Sequence, residues 1–100
     1  MTRVLLSPAA FDDLERLEEF LWQSDDPLQQ GLLDFIFDAL TVLTHQPGIG
    51  RPAGNGLREL IISRSHSGYL AKYHIDANAD LVRVLRIRHQ RESGYTPEEI

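Results

Sequence analysis

The fold is decided by three stretches in the second half of the chain: Leu57-Arg58-Glu59-Leu60, Ser67-Gly68-Tyr69-Leu70-Ala71-Lys72-Tyr73 and Val84-Leu85-Arg86-Ile87-Arg88-His89. Each stretch is rich in branched and aromatic residues and predicts a β-strand, which gives strands over 57–63, 68–75 and 81–89. The connections are short, and the second of them, Asp76 to Asp80, has the composition of a hairpin loop. Successive strands with short connections predict an antiparallel meander.

The first half predicts a short strand and two helices. Ser7 and Pro8 have the residue types of an N-cap and a first helical position, and they end the β-prone run 2–6. From residue 9 to residue 23 apolar side chains recur at helical spacing. Asp26 and Pro27 predict a second helix that runs to about Thr44. Its expected core residues are Leu33, Ile36, Phe37, Leu40 and Leu43.

These elements predict an α+β fold, β-α-α-β-β-β, with an antiparallel sheet and a helical hairpin packed on one face. One hundred residues, of which 42% are hydrophobic and 25% charged, are typical of one globular domain. We expect that domain to span residues 1–92 and to be followed by a polar tail over 93–100.

Composition excludes several classes of protein. The chain has no cysteine, so it forms neither disulfides nor thiolate metal sites. No apolar run approaches the roughly 20 residues that a membrane span needs, and the apolar run at the N-terminus is too short for a signal peptide. We therefore expect a cytoplasmic protein that does not associate with membranes.

Charge is segregated along the chain. Residues 1–50 hold nine carboxylates against two arginines, whereas residues 57–91 hold seven cations against three carboxylates. All but one of these cations are arginine, which favours two-point recognition of carboxylates or phosphates. The alternative without a binding role is a solvated sheet face beside an acidic helical layer. Composition does not decide between this alternative and a surface that binds carboxylates or phosphates.

In order and spacing, the segments resemble the RelE/ParE superfamily, the toxin half of bacterial type II toxin–antitoxin modules. The resemblance covers nearly the whole chain. It rests on the opening 4–14, on the loop with Pro47 and Gly50-Arg51-Pro52, and on the three strand segments up to His89-Gln90-Arg91-Glu92. The resemblance implies a toxin that a cognate antitoxin holds inactive, and it implies no cofactor. RelE-like members cut mRNA on the ribosome, and ParE-like members poison DNA gyrase.

A RelE-like activity needs a proton donor, a proton acceptor and cations around the phosphate. The candidate catalytic set is His89, Arg58, Arg88, Arg91 and Tyr95. In the bland alternative, His89 packs at a strand end. His45, His66 and His74 are scattered without the spacing of metal ligands, so we expect no metal site.

Three features favour the ParE-like branch. The pI is near 5.2, whereas phosphate contacts dominate binding to nucleic acids. Lys72 is the sole lysine, and RelE-like members carry several near the start of the sheet. Tyr95 comes one residue late, after Gly94, for the terminal arrangement of that branch. This interpretation leans away from an enzyme, and it keeps a non-toxic antitoxin-binding homologue as a further alternative.

In the ParE-like interpretation the cations bind the antitoxin or the target. The candidate residues are Arg58, Lys72, Arg86, Arg88 and Arg91. Simple strand alternation places Arg86 and Arg88 on one face with Val82 and Val84. If Leu81, Leu85 and Ile87 face the helices, both arginines are displayed to a partner.

Overall fold

In a computed structural model, which describes residues 1–23, 31–64 and 67–90, a five-stranded sheet carries the helices on one face. The strands are β1 (Arg3–Leu6), β2 (Arg51–Pro52), β3 (Arg58–Arg64), β4 (Ser67–Asp76) and β5 (Leu81–His89), in the order β1-β5-β4-β3-β2. β1 is parallel to β5, and the other neighbours are antiparallel. The predicted α+β class and the meander are confirmed. The sheet is mixed rather than wholly antiparallel, because β1 lies parallel to β5, and the two-residue β2 is an additional strand.

The first helix, α1 (Pro8–Gln23), begins at the predicted cap. The Ser7 hydroxyl oxygen accepts a hydrogen bond from the backbone N–H of Ala10 (3.1 Å), which satisfies one of the unpaired donors of the first turn. The same hydroxyl donates to the carbonyl oxygen of Leu85 (2.9 Å). One serine therefore caps α1 and ties its start to β5.

The second helix, α2 (Leu32–Leu40), is shorter than predicted. Gly31 precedes it with a φ of 81°, a left-handed conformation that interrupts a helix, and the chain tightens into a 3₁₀ turn over Thr41–Thr44. The predicted cap at Asp26 lies outside the described residues. In the part of the chain that the structure describes, no helix is long and apolar enough to cross a membrane.

The core lies between the helices and the sheet. Its buried members include Ala10, Leu14 and Leu17 of α1, Leu32, Ile36 and Leu40 of α2, Leu43, and Tyr69, Ala71, Tyr73, Val82, Val84 and Ile87 of the sheet. The predicted burial of Phe37 is wrong, because this side chain is 38% exposed. Leu32, which shares the 32–36–40 face of α2, takes an inward position instead.

A β-bulge in β5 sets which side chains face the helices. Tyr73 pairs with Val84, but Lys72 pairs with Arg86, so Leu85 is an extra residue on β5. The alternation therefore shifts by one position, and Val82, Val84 and Ile87 all face the helices. The expectation that the valines share a face with Arg86 and Arg88 is wrong for this reason.

Candidate functional site

The sheet face turned away from the helices, called the outer face below, is rich in cations. Cross-strand partners share a face, and the pairs His74–Arg83, Lys72–Arg86 and Leu70–Arg88 place three arginines of β5 there. The outer face of β2 to β5 includes Arg51, Glu59, Ile61, Leu70, Lys72, His74, Asp76, Leu81, Arg83, Arg86 and Arg88. The bulge thus brings Arg83 into the group that Arg86 and Arg88 were expected to form.

Arg86 is not displayed to a partner as predicted, because Asp13 of α1 holds it. Its Nε donates to Asp13 Oδ2 (2.8 Å), and its Nη2 donates to Asp13 Oδ1 (2.6 Å). The Arg86 side chain is 14% exposed and that of Asp13 is 2% exposed. Two parallel charge-assisted hydrogen bonds of this kind are among the strongest that side chains make. Their first effect is to fix α1 against β5.

The electrostatics of Asp13 reflect this arrangement. Burial by itself raises the pKa of the carboxyl, but the hydrogen bonds from Arg86 and from the Ile87 backbone, the charge of Arg86 and the bond from Arg16 outweigh it. The net result is a pKa below the ordinary value for aspartate. Asp13 is therefore ionised at neutral pH and compensates the charge of Arg86.

Asp13 and Arg16 also complete the edge of the sheet. β1 pairs with β5 as far as Val84, and beyond that point none of the described residues forms a strand on this side of β5. There the Ile87 N–H donates to Asp13 Oδ2 (2.8 Å), and Arg16 Nη2 donates to the Ile87 carbonyl (3.3 Å). Side chains of α1 thus satisfy the backbone groups that an additional strand would otherwise take.

Arg58 lies on the opposite face from Arg88. It pairs with Tyr73, which faces the helices, and its Nη1 donates to the Gly50 carbonyl (2.6 Å). The buried hydroxyl of Tyr73 donates to the Pro47 carbonyl (2.6 Å) and accepts from the Gly50 N–H (2.9 Å). Both residues anchor the loop 47–50, and the structure does not bring Arg58 together with the arginines of the outer face.

On the outer face, Arg51 is also engaged by a carboxylate of the chain itself. Its Nη2 donates to Glu59 Oε1 (2.8 Å), and the Glu59 side chain is largely buried. Glu59 in turn lies directly opposite Lys72 across the β3–β4 pair. This row therefore runs Arg51, Glu59, Lys72, Arg86 across four strands, and it ends at Asp13 on α1.

His89 faces the helices. It pairs with Tyr69, and the two rings meet edge to face with centroids 5.2 Å apart and planes at 87°. Such a contact packs the imidazole against a buried phenol ring. Arg88 points to the other side of the sheet, so the structure does not bring His89 and Arg88 to one site. The predicted site residues Arg91 and Tyr95 lie outside the described residues.

Sequence reasoning missed the role of Asp13 and Arg16. A usable signal was present, because residues 10, 13, 14 and 17 form one face of α1 and Asp13 is an acid inside an otherwise apolar stripe. A carboxylate at such a position needs a cation, and the strand arginines supply one. Within 1–23, 31–64 and 67–90, no group of three or more histidine, aspartate or glutamate side chains is placed to hold a metal ion.

Comparison with known proteins agrees with this architecture. Residues 4–94 match the family described as "ParE toxin of type II toxin-antitoxin system, parDE". "Toxin RelE3" of Caulobacter vibrioides is 30% identical over 92 residues, which span 92% of this chain and 98% of that protein. The match therefore runs the length of both proteins.

Two solved structures share the fold. A chain from the "Chromosomal ParDE TA system from P. aeruginosa" is similar with a TM-score of 0.73 at 20% identity, over 89% of this chain and 96% of that one. A "metal-bound toxin from Helicobacter pylori" is similar with a TM-score of 0.53 at 13% identity, over 94% and 100%. With the family match over residues 4–94, the conclusion is that this chain belongs to the ParE/RelE family of toxins of type II toxin–antitoxin systems.

Proposed function

We propose that this chain is a ParE-like toxin that arrests growth by binding a replication target such as DNA gyrase, and that a cognate antitoxin neutralises it in the cytoplasm. Family membership supports the toxin role and the pairing with an antitoxin. The target and the absence of catalysis are the proposal itself. The description of the matched family, ParE of the parDE type, supports the choice of branch.

The observation that carries the proposal is the separation of the candidate catalytic residues between the two faces of the sheet. General acid–base catalysis requires the proton-transfer group and the stabilising cations to reach the same reacting phosphate. His89 packs on Tyr69 on the side of the helices, whereas Arg88 projects from the outer face. Arg58 contacts the loop at Gly50. This arrangement favours binding over RNA cleavage.

Charge supports the same choice. The chain has a formal net charge of −5, and two arginines of the outer face, Arg51 and Arg86, form ion pairs with its own carboxylates. Affinity for RNA rises with the number of phosphates that cations neutralise. An outer face with internally compensated arginines suits a protein partner better than the ribosome and its mRNA.

A second candidate is a RelE-like, ribosome-dependent mRNA interferase. The similarity to a protein named RelE3 favours it. In that case the residues to test by substitution are His89, Arg58, Arg88, Arg91 and Tyr95. The remaining alternative is a homologue that binds an antitoxin but has lost toxicity.

The experiment that tests the proposal is pulse-labelling of DNA and protein synthesis within minutes of induction. We expect thymidine incorporation to fall before amino-acid incorporation, and purified protein to inhibit supercoiling by gyrase. A prior fall of amino-acid incorporation would contradict the proposal and favour the interferase. Absence of growth arrest would leave the non-toxic homologue.

A variant sharpens this test. His89→Phe keeps an aromatic ring against Tyr69 but removes the titratable nitrogens, so in the proposed mechanism it leaves growth arrest unchanged. The control is Phe37→Leu, which replaces an exposed aromatic side chain on α2 and so reports the effect of changing an aromatic ring outside the candidate site. Loss of arrest in His89→Phe, with an unchanged unfolding midpoint, would assign His89 to catalysis.

A further inference from the structure

The side of the helical layer that faces away from the sheet is acidic. The helices α1 and α2 contain seven carboxylates and one arginine. In each helix the buried side chains form one stripe, and the positions on the opposite side of the helix carry exposed acids. These exposed acids are Asp12, Glu15, Glu19, Asp34 and Asp38. They form what is called the acidic side below.

The outer face of the sheet, on the opposite side of the molecule, carries two exposed arginines at its β1 end. Leu5 of β1 stands opposite Arg83 of β5, and Arg3 lies two residues before Leu5 on the same face. Both arginines are exposed, and no side-chain hydrogen bond or ion pair joins them to the residues that the structure describes. Their charges therefore lack the compensation that Arg86 receives from Asp13.

The charges of the acidic side are similarly uncompensated. All of its members except Glu19 have no side-chain hydrogen bond or ion pair within 1–23, 31–64 and 67–90. Exposed apolar side chains accompany the charges on both surfaces: Leu5 (47% exposed) and Ile61 (53%) on the outer face, Phe11 (50%) and Phe37 (38%) beside the acids. Apolar side chains with polar groups around them are typical of surfaces that bind another protein.

The two surfaces are complementary in charge, but they cannot meet within one molecule because the core and the sheet lie between them. A second copy of the chain supplies the missing surface without any other component. Opposite charges that meet across such a contact favour association and fix the orientation of the partners. The net charge of −5 opposes the association of copies. Salt at about 0.1 M, with a Debye length of about 10 Å, weakens this repulsion more than the attraction between charges in contact.

We infer that the outer face of one copy binds the acidic side of a second copy, with Arg3 and Arg83 of the first against carboxylates such as Asp12 and Glu15 of the second. Because the two surfaces lie on opposite sides, the contact is head-to-tail, and further copies can add in a row. Each copy inside the row has its outer face covered, so self-association competes with any other partner of that face. The inference goes beyond the proposed function and does not depend on the target of the toxin.

Sedimentation velocity of the purified protein alone tests the inference. At protein concentrations up to about 1 mM, which detect even a millimolar dissociation constant, the mean sedimentation coefficient is expected to rise with concentration in about 0.1 M salt. It is expected to return to the monomer value in about 1 M salt, where the Debye length is about 3 Å. A protein that stays monomeric in about 0.1 M salt, or an association that about 1 M salt leaves unchanged, would overturn the inference.

Charge reversal locates the contact. Arg83→Glu on the outer face and Glu15→Lys on the acidic side are each expected to raise the dissociation constant of self-association by about tenfold. The matched control combines Gln46→Glu with Gly48→Glu, two exposed positions that belong to neither surface. It changes the net charge as much as Arg83→Glu does and is expected to associate like wild type. A control weakened as much as Arg83→Glu would assign the effect to net charge and overturn the inference.

Mixing the two variants gives the decisive readout. The outer face of Arg83→Glu and the acidic side of Glu15→Lys are again opposite in charge at the reversed positions, so an equimolar mixture is expected to associate more tightly than either variant alone. A circular dichroism spectrum and an unfolding midpoint like those of wild type show that each variant is folded. A mixture of folded variants that associates no better than its components would overturn the inference and leave the proposed function standing.

Discussion

Asp13 and Arg86 are 73 positions apart in sequence and joined by two hydrogen bonds in the fold, Nε to Oδ2 at 2.8 Å and Nη2 to Oδ1 at 2.6 Å. The carboxylate also accepts the Ile87 N–H. One side chain of α1 therefore neutralises a strand arginine and closes a strand edge. Removal of the carboxylate would leave the Arg86 guanidinium without its counter-charge and would weaken the bond to the Ile87 N–H.

Replacing Asp13 by asparagine is expected to lower the free energy of unfolding by about 3–5 kcal/mol, the usual range when one member of a buried ion pair is removed. Asn keeps the shape but cannot neutralise Arg86. Urea unfolding of the purified protein measures the change. Asp12→Asn, an exposed neighbour on the same helix, is the control and is expected to change little. Equal stability of the two variants would contradict the role given to Asp13.

The stability that Asp13 contributes is expected to depend on pH. Its pKa in the folded protein is below the ordinary value, so its contribution is present above the unfolded pKa of about 3.9. The contribution is lost as the pH falls through that value and then through the folded pKa, because the unfolded chain takes up the proton first. The difference between wild type and Asp13→Asn in urea unfolding is therefore expected to be constant from about pH 7 to 5 and to shrink below about pH 4. A difference that grows on acidification would refute it.

Tyr73→Phe is expected to destabilise the fold by about 1–3 kcal/mol, because it removes the hydroxyl that serves both the Gly50 N–H and the Pro47 carbonyl. The ring volume is retained, so the loss reports the two hydrogen bonds. Thermal or urea unfolding measures it. The exchange of the Gly50 amide is expected to accelerate, and an unchanged exchange rate would show that the loop 47–50 has another anchor.

Gly50→Ala is expected to cost about 1–3 kcal/mol through overpacking. A Cβ at this position lies 2.6 Å from the Tyr73 hydroxyl oxygen and 2.9 Å from the Glu59 carbonyl oxygen, closer than real contacts allow. Gly48→Ala is the matched control in the same loop, since nothing lies within 4 Å of a Cβ there. Comparable unfolding midpoints for the two variants would mean that the loop moves aside at little cost.

Substitutions of Arg86 and Arg83 are expected to differ in their effects: the first lowers stability, and the second weakens binding of the antitoxin. Arg86→Gln breaks the pair with Asp13 and is expected to lower the unfolding free energy by about 3 kcal/mol or more. Arg83→Gln, exposed on the outer face, is expected to leave stability within about 0.5 kcal/mol of wild type. It is expected to weaken antitoxin binding several-fold in calorimetry. A stable Arg86→Gln protein with weakened binding would instead restore Arg86 to the partner surface.

Local sequence signals predicted the elements well, and they failed where a tertiary contact decides. The N-cap at Ser7 and the strands over 57–63, 68–75 and 81–89 follow from side-chain types and turn chemistry. The second helix is shorter than its apolar periodicity predicted. It begins after Gly31, whose left-handed backbone is incompatible with an α-helix, and it ends where the chain tightens into the 3₁₀ turn at Thr41–Thr44.

The candidate site was predicted less well, because one extra residue in β5 moves each later side chain of that strand to the opposite face of the sheet. No local feature of Leu85 distinguishes a bulge from regular alternation, since the bulge reflects pairing with β4 and the hydrogen bond that the Ser7 hydroxyl donates to the Leu85 carbonyl. The pairing of Arg86 within the chain could not be predicted for a related reason. Asp13, which binds Arg86 in the fold, is remote in sequence and is recognisable as a buried acid only once α1 is placed.

The pairing of β1 with β5 and of Asp13 with Arg86 has a consequence for synthesis. The first strand and the first helix find their backbone and charge partners among residues 80–87, which the ribosome adds long after both elements. Contacts so distant in sequence form late in folding. A nascent chain therefore lacks the contacts that hold β1 and α1 until residues 80–87 have been added, and fragments that stop before Leu81 are expected to be inert and open to proteolysis.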